Sequence, residues 1–450
     1  MKLFGTDGIR GRVNRFPMTP ETVLRVGMAI ASVLRNEHGR HMVLIGKDTR
    51  LSGYMIESAL TSGICSGGMD VTLVGPIPTP GVAYLTRALR LDAGIVISAS
   101  HNPFEDNGIK IFSSSGFKLS DEIEAEIERL AADESFPGKR LTGERIGRAY
   151  RLDDAAGRYI EYIKSTIPRG ANLEGLKVVV DCANGAAYKV TPWVLRELGA
   201  EVLSINDKPN GININDNCGS LHLDCIAQEV REHGAHLGVA HDGDADRTLL
   251  VDDKGAVADG DLILGAWAAE LKKEGGLKGD TVVATVMSNL GLEKYLERLD
   301  IKLIRAKVGD RYVVEEMLRG GYNLGGEQSG HIISFDCNTT GDGPVTALQM
   351  LYLMRKRNKL FSEMTRDIEL FPQVLLNIPV AEKKDIKKIP EAVKAIDEAT
   401  AALGDKGRIL VRPSGTEPKI RVMVEAESDD LAQRVAGDVA AVIQKKLGHS

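Results

Sequence analysis

The chain has 450 residues and a formal net charge of −6, from 57 basic and 63 acidic side chains. This length predicts about three or four domains, and the slight acidic excess argues against nucleic acid as a partner. No apolar run is long enough to span a bilayer and the first residues lack a signal-peptide pattern, so we expect a cytoplasmic protein without a membrane partner. The five cysteines form no Cys-x-x-Cys motif, which favours reduced, structural thiols.

Three segments repeat one pattern of strand, helix and strand. The first is built on MVLIGKDTR and GMDVTLVG, the second on LKVVVDCANGAA and AEVLSIND, and the third on DTVVATVMSN and IKLIRAKVGD. β-Branched strands joined by short helical crossovers indicate α/β domains with mainly parallel sheets. Three successive copies predict three similar domains.

A further strand follows each of these units and ends in a polar loop. The three stretches of strand and loop are AGIVISASHN, HLGVAHDGDADR and YNLGGEQSGH. Ligands of open α/β sheets bind outside the carboxyl ends of the strands. We therefore expect the three loops to face one shared cleft.

The last part of the chain has a different pattern. PQVLLNIPV, RILVR and KIRVMVEA, with two helical stretches between and after them, predict a small α+β domain with an antiparallel sheet. The predicted fold class is α/β, with three similar mixed α/β domains followed by this C-terminal α+β domain. The predicted domains are residues 1–155, 156–255, 256–369 and 370–450.

The stretch DGDADR places Asp242, Asp244 and Asp246 at alternate positions after an apolar strand. Like charges so close repel one another, and oxygen ligands of this kind suit Mg²⁺. A calcium EF-hand is the rival interpretation, because Asp253 falls at the twelfth position of such a loop. Arg247 stands at the sixth position, where that loop needs glycine, which argues against it. An Asx-rich turn without a metal stays open.

Ser100, at the end of the first of these strands, is the candidate nucleophile. A strand-end cap is the plainer interpretation of this serine, and a Ser-His-Asp hydrolase is disfavoured because no G-x-S-x-G elbow surrounds it. His101 is a candidate hydrogen-bond donor, although a lone histidine is often structural. Lys110 could neutralise charge or move a proton, and it could equally be a surface lysine.

Two further loops offer groups for a ligand. RPSGTEPKIRV predicts an anion-binding nest of backbone N–H groups, hydroxyls and guanidinium groups, with the candidate residues Arg412, Ser414, Gly415, Thr416 and Arg421. It is not a Walker loop. GEQSGH supplies Glu327 and Ser329, an acceptor and a donor suited to sugar hydroxyls. A plain polar turn remains the alternative for both loops.

Taken together and in order, the segments FGTDGIRG, SASHNP, DGDADR, GEQSGH and RPSGTEPKIRV closely resemble the α-D-phosphohexomutase superfamily, over the whole chain. The resemblance implies four domains around a central cleft and a phosphorylated Ser100. It implies that this phosphate binds one Mg²⁺ together with Asp242, Asp244 and Asp246. The positions that match the surroundings of the phosphoserine are Arg10, His101, Lys110 and Arg247. Glu327 and Ser329 match the sugar-recognition loop, and residues 412–421 match the phosphate loop of the last domain.

Within the superfamily, FGTDGIRG and the glutamine at position 328 are most similar to the branch that acts on glucosamine phosphate. Asp310, where phosphomannomutase relatives have histidine, also favours this branch and puts a base role of that loop in doubt. The resemblance implies interconversion of glucosamine 6-phosphate and glucosamine 1-phosphate through a 1,6-bisphosphate, on the route to UDP-N-acetylglucosamine. It implies glucosamine or glucose 1,6-bisphosphate as activator, a small sugar phosphate as the partner, and is compatible with a homodimer. Phosphomannomutase or phosphoglucomutase activity is the nearest alternative, and a phosphoserine-type phosphatase is a more distant one.

Overall fold

The structure is a computed structural model, and it describes residues 3–5, 7–36, 39, 41–133, 135–136, 140–380, 386–413 and 419–447. By compactness the chain divides into two units. One comprises Met1–Met287 and Leu303–Thr365, and the other comprises Ser288–Lys302 and Arg366–Ser450. The four domain boundaries drawn from the sequence stay a prediction. Within the described residues, no helix has the length and apolarity that a membrane crossing needs.

Strands and helices alternate through most of the described chain. The strands are β1 (Phe4–Gly5), β2 (Gly8–Arg12), β3 (Met42–Lys47), β4 (Asp70–Pro76), β5 (Ala93–Ile97), β6 (Asp106–Ser113), β7 (Ala149–Arg151), β8 (Lys177–Asp181), β9 (Glu201–Ile205), β10 (Leu237–His241), β11 (Thr248–Asp252), β12 (Val257–Ala258), β13 (Thr281–Thr285), β14 (Lys302–Ala306), β15 (Leu324–Gly326), β16 (Ile332–Ser334), β17 (Gln373–Pro379), β18 (Gly407–Pro413) and β19 (Lys419–Ala426). The α-helices are α1 (Pro20–Leu34), α2 (Gly53–Ser66), α3 (Thr79–Ala88), α4 (Asp121–Ala132), α5 (Ala155–Ser165), α6 (Ala187–Glu197), α7 (Asp224–His233), α8 (Gly260–Lys273), α9 (Leu290–Glu297), α10 (Asp310–Gly320), α11 (Gly343–Arg357), α12 (Phe361–Met364), α13 (Pro390–Leu403) and α14 (Asp429–Leu447).

Three of the sheets share one strand order, which confirms the predicted repeat. The order is β4-β3-β5-β6 within the first sheet, β9-β8-β10-β11 within the second and β14-β13-β15-β16 in the third. In each sheet one strand leads into the polar loop, namely β5, β10 or β15. This strand runs parallel to its neighbour on one side, which is β3, β8 or β13. It runs antiparallel to the strand that follows the loop, which is β6, β11 or β16. The three loops therefore leave equivalent positions of three similar sheets.

The C-terminal sheet is antiparallel, as predicted, with the order β17-β19-β18. Helices α13 and α14 contribute to its apolar core, through side chains such as Ala392 and Ile443. The register places Arg412 of β18 directly opposite Arg421 of β19.

The strands that lead to the loops are held by apolar burial. Every residue of β5 and β10 is buried, as expected for strands that are covered on both faces. In the first sheet the cover on one face includes α1 and α2, whose apolar residues share one core cluster with those of the strands. The two helices approach closely at a pair of glycines, Gly27 of α1 and Gly63 of α2. A Cβ on Gly63 would lie 2.2 Å from the Leu24 carbonyl oxygen.

We expect Gly63→Ala to destabilise the first sheet by about 1–3 kcal/mol, because the added methyl group would force α1 and α2 apart. The matched control is Gly157→Ala in α5, where an added Cβ meets no atom within 4 Å. The control should leave stability unchanged or raise it by up to ~1 kcal/mol, since alanine is the better helix former. Urea unfolding of both variants tests this, and equal midpoints would show that the close approach of the helices does not matter.

Candidate active site

Ser100 lies in the loop after β5 and its side chain points at the second polar loop. The residue is 1% exposed and has a positive φ of 53°, a conformation that costs a non-glycine residue roughly 1–2 kcal/mol. Its hydroxyl donates a 2.6 Å hydrogen bond to Asp242 Oδ2. The strand-end cap interpretation is therefore wrong, because the hydroxyl leaves its own loop and contacts the loop after β10.

The three aspartates of that second loop are buried together. One carboxylate oxygen from each of Asp242, Asp244 and Asp246 lies within 4.8 Å of the others. The EF-hand interpretation is wrong, because the strands β10 and β11 flank this loop where an EF-hand has helices. Burial, together with the neighbouring Asp246 and Asp244, raises the pKa of Asp242 well above its ordinary value.

The carboxylate cluster fits a divalent metal ion. Within the described part of the chain, Asp244 Oδ1 and Asp246 Oδ1 are buried without a hydrogen-bond partner. A buried carboxylate oxygen without a partner is costly, and a cation would relieve this cost. Hard carboxylate oxygens without nitrogen or sulfur ligands are the donors that Mg²⁺ prefers.

Lys110 of β6 faces the same carboxylates. Its ammonium group lies 3.0 Å from Asp244 Oδ2 and 3.0 Å from Asp246 Oδ2, and the residue is 2% exposed. The surface-lysine interpretation is therefore wrong. Burial alone would lower the pKa of Lys110, but the aspartates raise it well above its usual value, so the side chain is a fixed positive charge. Burial alone would raise the pKa of Asp246, but Lys110, His331 and Arg247 together hold the pKa of that carboxyl well below its usual range.

His101 and Arg247 form a second group beside Ser100. His101 Nδ1 lies 3.4 Å from Ser100 Oγ and 3.4 Å from a guanidinium nitrogen of Arg247. Because a guanidinium can only donate, Nδ1 is the acceptor and the ring proton is on Nε2. Burial, with Arg247 and Arg10 nearby, lowers the pKa of His101 to about 4. At neutral pH the histidine is uncharged and has one N–H to offer.

A chain of charged side chains extends from this site to the start of α10, and the sequence did not predict it. Asp7 accepts from Arg10 and Lys118 and lies 3.4 Å from the Lys110 ammonium. Lys118 also contacts Asp310 at 2.6 Å, so Asp310 belongs to an ion pair. The occurrence of Asp7 inside the FGTDGIRG motif was the only signal for this network.

His331 and Thr79 are two more residues that sequence reasoning missed. His331, in the loop after β15, lies 3.7 Å from Asp246 Oδ1, which brings the third loop to the loop of the three aspartates. Thr79, the first residue of α3, donates its hydroxyl to Asp244 Oδ2 at 2.7 Å and its N–H to the Asp244 carbonyl at 2.9 Å. Both contacts join residues that are far apart in sequence, so no local pattern could reveal them.

The sugar-loop candidates are placed next to each other. Ser329 Oγ donates to Glu327 Oε2 at 3.0 Å, and the N–H of Gly309 donates to Glu327 Oε1 at 3.2 Å. The loop is held against β11 through the N–H of Thr248, which donates to the Gly330 carbonyl at 3.0 Å. Glu327 therefore has a fixed orientation and oxygen atoms that can still accept further hydrogen bonds.

In the C-terminal unit, the two candidate arginines face each other across the sheet. Arg412 and Arg421 are opposite in register, and within the described residues the Nε atom of each is buried without a hydrogen-bond partner. Burial and the neighbouring Arg421 lower the pKa of Arg412. Two like charges in this position are unfavourable and would be relieved by an anion. Ser414, Gly415 and Thr416 lie outside the described residues.

Comparisons with known proteins identify this arrangement. The family models for phosphoglucomutase/phosphomannomutase match the chain in four parts: alpha/beta/alpha domain I at residues 1–138, domain II at 157–255, domain III at 259–371 and the C-terminal domain at 375–442.

One similar relative is the phosphoglucosamine mutase of Thermodesulfovibrio yellowstonii, which is 58% identical over 99% of this chain and 100% of its own length. Among solved structures, a phosphoglucomutase/phosphomannomutase family protein from Burkholderia thailandensis aligns with a TM-score of 0.80 at 24% identity, over 98% of this chain and 97% of that chain. The N-acetylphosphoglucosamine mutase of Aspergillus fumigatus, solved with GlcNAc-6P and magnesium, aligns with a TM-score of 0.68 at 19% identity, over 99% of this chain and 96% of that chain. At these identities the structural matches establish the fold.

We expect Asp244→Asn to weaken the binding of a divalent ion, because it removes one of three anionic ligands from a buried cluster. The control is Asp253→Asn, which removes the same charge from the position that an EF-hand would use. Titration with Mn²⁺, followed by electron paramagnetic resonance, should show an affinity loss of at least about tenfold for Asp244→Asn and little change for the control. Equal affinities in wild type and Asp244→Asn would mean that the aspartates do not bind the ion.

Proposed function

The chain belongs to the phosphoglucomutase/phosphomannomutase family, and on this premise we propose that it interconverts glucosamine 6-phosphate and glucosamine 1-phosphate through a phosphoserine at Ser100. The observation that carries the proposal is the contact of the Ser100 hydroxyl with a buried cluster of three aspartates. The similarity to phosphoglucosamine mutases over the full length supports the choice of the amino sugar. Asp310 and Gln328, which distinguish this branch by resemblance, support the same choice.

The proposed reaction consists of two phosphoryl transfers of opposite direction. In the first, the bond between Ser100 Oγ and phosphorus breaks and a bond from phosphorus to the free sugar hydroxyl forms, while the hydroxyl proton ends on Ser100 Oγ. The product is glucosamine 1,6-bisphosphate. After the bisphosphate turns round, its other phosphoryl group returns to Ser100 and the second monophosphate leaves. Such transfers depend mainly on alignment and on stabilisation of the phosphoryl charge.

Ser100 is aligned by its buried position and by its left-handed backbone, which direct Oγ towards the aspartate loop. The phosphate of Ser100 and the carboxylates of Asp242, Asp244 and Asp246 would hold one Mg²⁺. When bound, this ion supplies a Lewis acid that draws charge from a phosphoryl oxygen. The magnesium named with the Aspergillus fumigatus relative supports the choice of metal.

Positive and neutral donors surround the same serine. We assign Lys110, Arg10 and Arg247 to the phosphoryl charge, because Lys110 already contacts two of the aspartates and Arg247 lies beside His101. His101 has its proton on Nε2 and can donate it to a phosphoryl oxygen. Because its pKa is about 4, it acts as a neutral hydrogen-bond donor at neutral pH.

Two more groups of residues would recognise the rest of the substrate. Glu327 and Ser329 are proposed to accept from and donate to the sugar hydroxyls. The phosphate already present on the sugar is proposed to bind Arg412, Ser414, Gly415, Thr416 and Arg421. The opposed positions of Arg412 and Arg421, whose Nε atoms have no hydrogen-bond partner among the described residues, support this assignment. Such a site binds the anion and not the ring, so it suits a phosphate on either C1 or C6.

We also propose activation by glucosamine or glucose 1,6-bisphosphate, which would transfer a phosphoryl group to unphosphorylated Ser100. A cytoplasmic location is proposed from the cysteines, since all five are free thiols. The homodimer stays a prediction, to be tested by light scattering of the purified chain.

We expect Ser100→Ala to lose mutase activity by several orders of magnitude and to fold normally, because a methyl group fits where the hydroxyl stands. Mass spectrometry of the wild-type peptide that contains Ser100 should show one added phosphate. A panel of glucosamine, glucose and mannose phosphates should give the highest kcat/KM for glucosamine phosphate. The control is Ser115→Ala, at an exposed serine whose hydroxyl is hydrogen-bonded to Ser113 Oγ.

Three results would contradict the proposal. Near-normal turnover by Ser100→Ala would remove the serine from the mechanism. Preference for mannose or glucose phosphate would favour the phosphomannomutase or phosphoglucomutase alternative. Release of inorganic phosphate at the rate of substrate loss would identify a phosphatase.

We expect Arg421→Ala to lower kcat/KM by roughly 10–100-fold, the cost of one lost charge-assisted hydrogen bond. The variant should also release more bisphosphate in each turnover, accumulate unphosphorylated Ser100 and depend more on added bisphosphate. The control is Arg434→Ala, which removes an exposed arginine from α14. If Arg421→Ala retains both kcat/KM and bisphosphate as the control does, the substrate phosphate is held elsewhere.

A further inference from the structure

We propose that Arg50 and Asn215 are positioning residues that fix the backbone of Ser100 and thereby the direction of its hydroxyl. The inference rests on the proposed function, because the direction of the hydroxyl matters only if Ser100 transfers a phosphoryl group. Neither residue contacts Ser100 Oγ. Both act on the loop that carries the serine, and they do so from different parts of the chain.

The N–H group of Ser100 is anchored first, from within the first sheet. It donates to Ser98 Oγ at 2.9 Å, and Ser98 Oγ donates to Asp48 Oδ2 at 2.7 Å. Asp48 is fully buried, at the end of β3, and forms an ion pair with Arg50 at 2.8 Å. These three linked contacts fix the backbone at the beginning of the loop.

The carbonyl side of the loop is held by the guanidinium group of Arg50, which is among the largest fully buried side chains in the described chain. It donates to the carbonyl oxygens of Ser100 at 2.9 Å, Asn102 at 2.8 Å and Asp106 at 3.1 Å, and to that of Pro103. A planar guanidinium with five N–H donors suits several acceptors at once, and a lysine ammonium does not reproduce this geometry. Three carbonyls of the loop and that of the first residue of β6 are therefore turned towards a single buried cation.

Asn215, which follows β9 of the second sheet, binds the same loop. Its side-chain amide donates to the Ser100 carbonyl at 2.9 Å and to the Asn102 carbonyl at 3.0 Å, the same two oxygens that Arg50 holds. Its own backbone is fixed by an N–H bond to the Ala183 carbonyl at 2.9 Å, in the loop that follows β8. The Ser100 loop is thus tied to the part of the chain that also carries the three aspartates.

These contacts explain how Ser100 keeps its left-handed conformation. Such a backbone is unfavourable for a serine and persists only where the surroundings impose it. With the N–H and the carbonyl of Ser100 both bound, the Cα–Cβ bond has one direction, and Oγ points at Asp242. Rate is sensitive to such alignment, since a displacement of about 1 Å can cost up to roughly 100-fold.

Asn215→Ala and Asn217→Ala form a matched pair for the test. Both positions have a positive φ, 58° and 50°, so alanine carries a similar backbone cost at each. Among the described residues, the one hydrogen-bond partner of the Asn217 side chain is the exposed Asp216. For wild type and both variants we would measure the unfolding midpoint, kcat and KM with glucosamine 6-phosphate, and hydrogen exchange of the peptide that spans residues 98–106.

We expect Asn215→Ala to lower kcat by about 10–100-fold with KM within about twofold, and to speed exchange in the 98–106 peptide. Asn217→Ala should match wild type in both, and the two variants should unfold at similar midpoints. Arg50→Lys should show a larger fall in kcat if it folds. If Arg50→Lys does not fold, the comparison of Asn215→Ala with Asn217→Ala decides whether the inference holds.

The inference is overturned if Asn215→Ala equals Asn217→Ala in kcat, or if it changes KM and kcat together as a general loss of structure would. A wild-type protein without mutase activity would instead overturn the proposed function. In that case the anchoring is judged by hydrogen exchange alone, and unchanged exchange in Asn215→Ala would reject it.

Discussion

The burial of three carboxylates within 4.8 Å of one another is the constraint on which the rest of the site depends. Carboxylates withdrawn from water cost several kcal/mol each unless they are compensated. Lys110 compensates two of them, and His331 and Arg247 approach Asp246 from other sides. The site is therefore a buried concentration of opposite charges, with three carboxylates that could hold a metal ion.

The fold brings these charged side chains together because three sheets repeat one strand order. Three sheets with the same strand order each end a buried, parallel strand in a polar loop. The first loop supplies Ser100, the second the aspartates and the third His331 and Glu327. Because each sheet holds its loop at the same edge, the chemistry depends on how the loops meet, and the contact of Ser100 with Asp242 marks that meeting point. Anchors such as Arg50 then determine the geometry inside the loop.

The sequence predicted the secondary-structure elements and the candidate reacting groups better than the side-chain contacts between them. The strand patterns, the three repeated units, the antiparallel C-terminal sheet and the clustering of the three aspartates of DGDADR could all be inferred, because each is a local pattern of apolar and charged residues. The burial of Lys110 and the roles of Asp7 and Thr79 could not. Lys110 has the sequence context of a surface lysine, and its partner Asp244 is 134 positions away. Contacts at that separation depend on the assembled sheets and leave no local signal.

Ser100 is proposed to carry the phosphoryl group during turnover. The most direct test is a quenched-flow experiment with enzyme labelled by ³²P at Ser100 and mixed with glucosamine 6-phosphate. The label should move to glucosamine 1,6-bisphosphate with a rate constant at least as large as the steady-state kcat. Transfer slower than kcat, or appearance of the label as inorganic phosphate at the turnover rate, would contradict it.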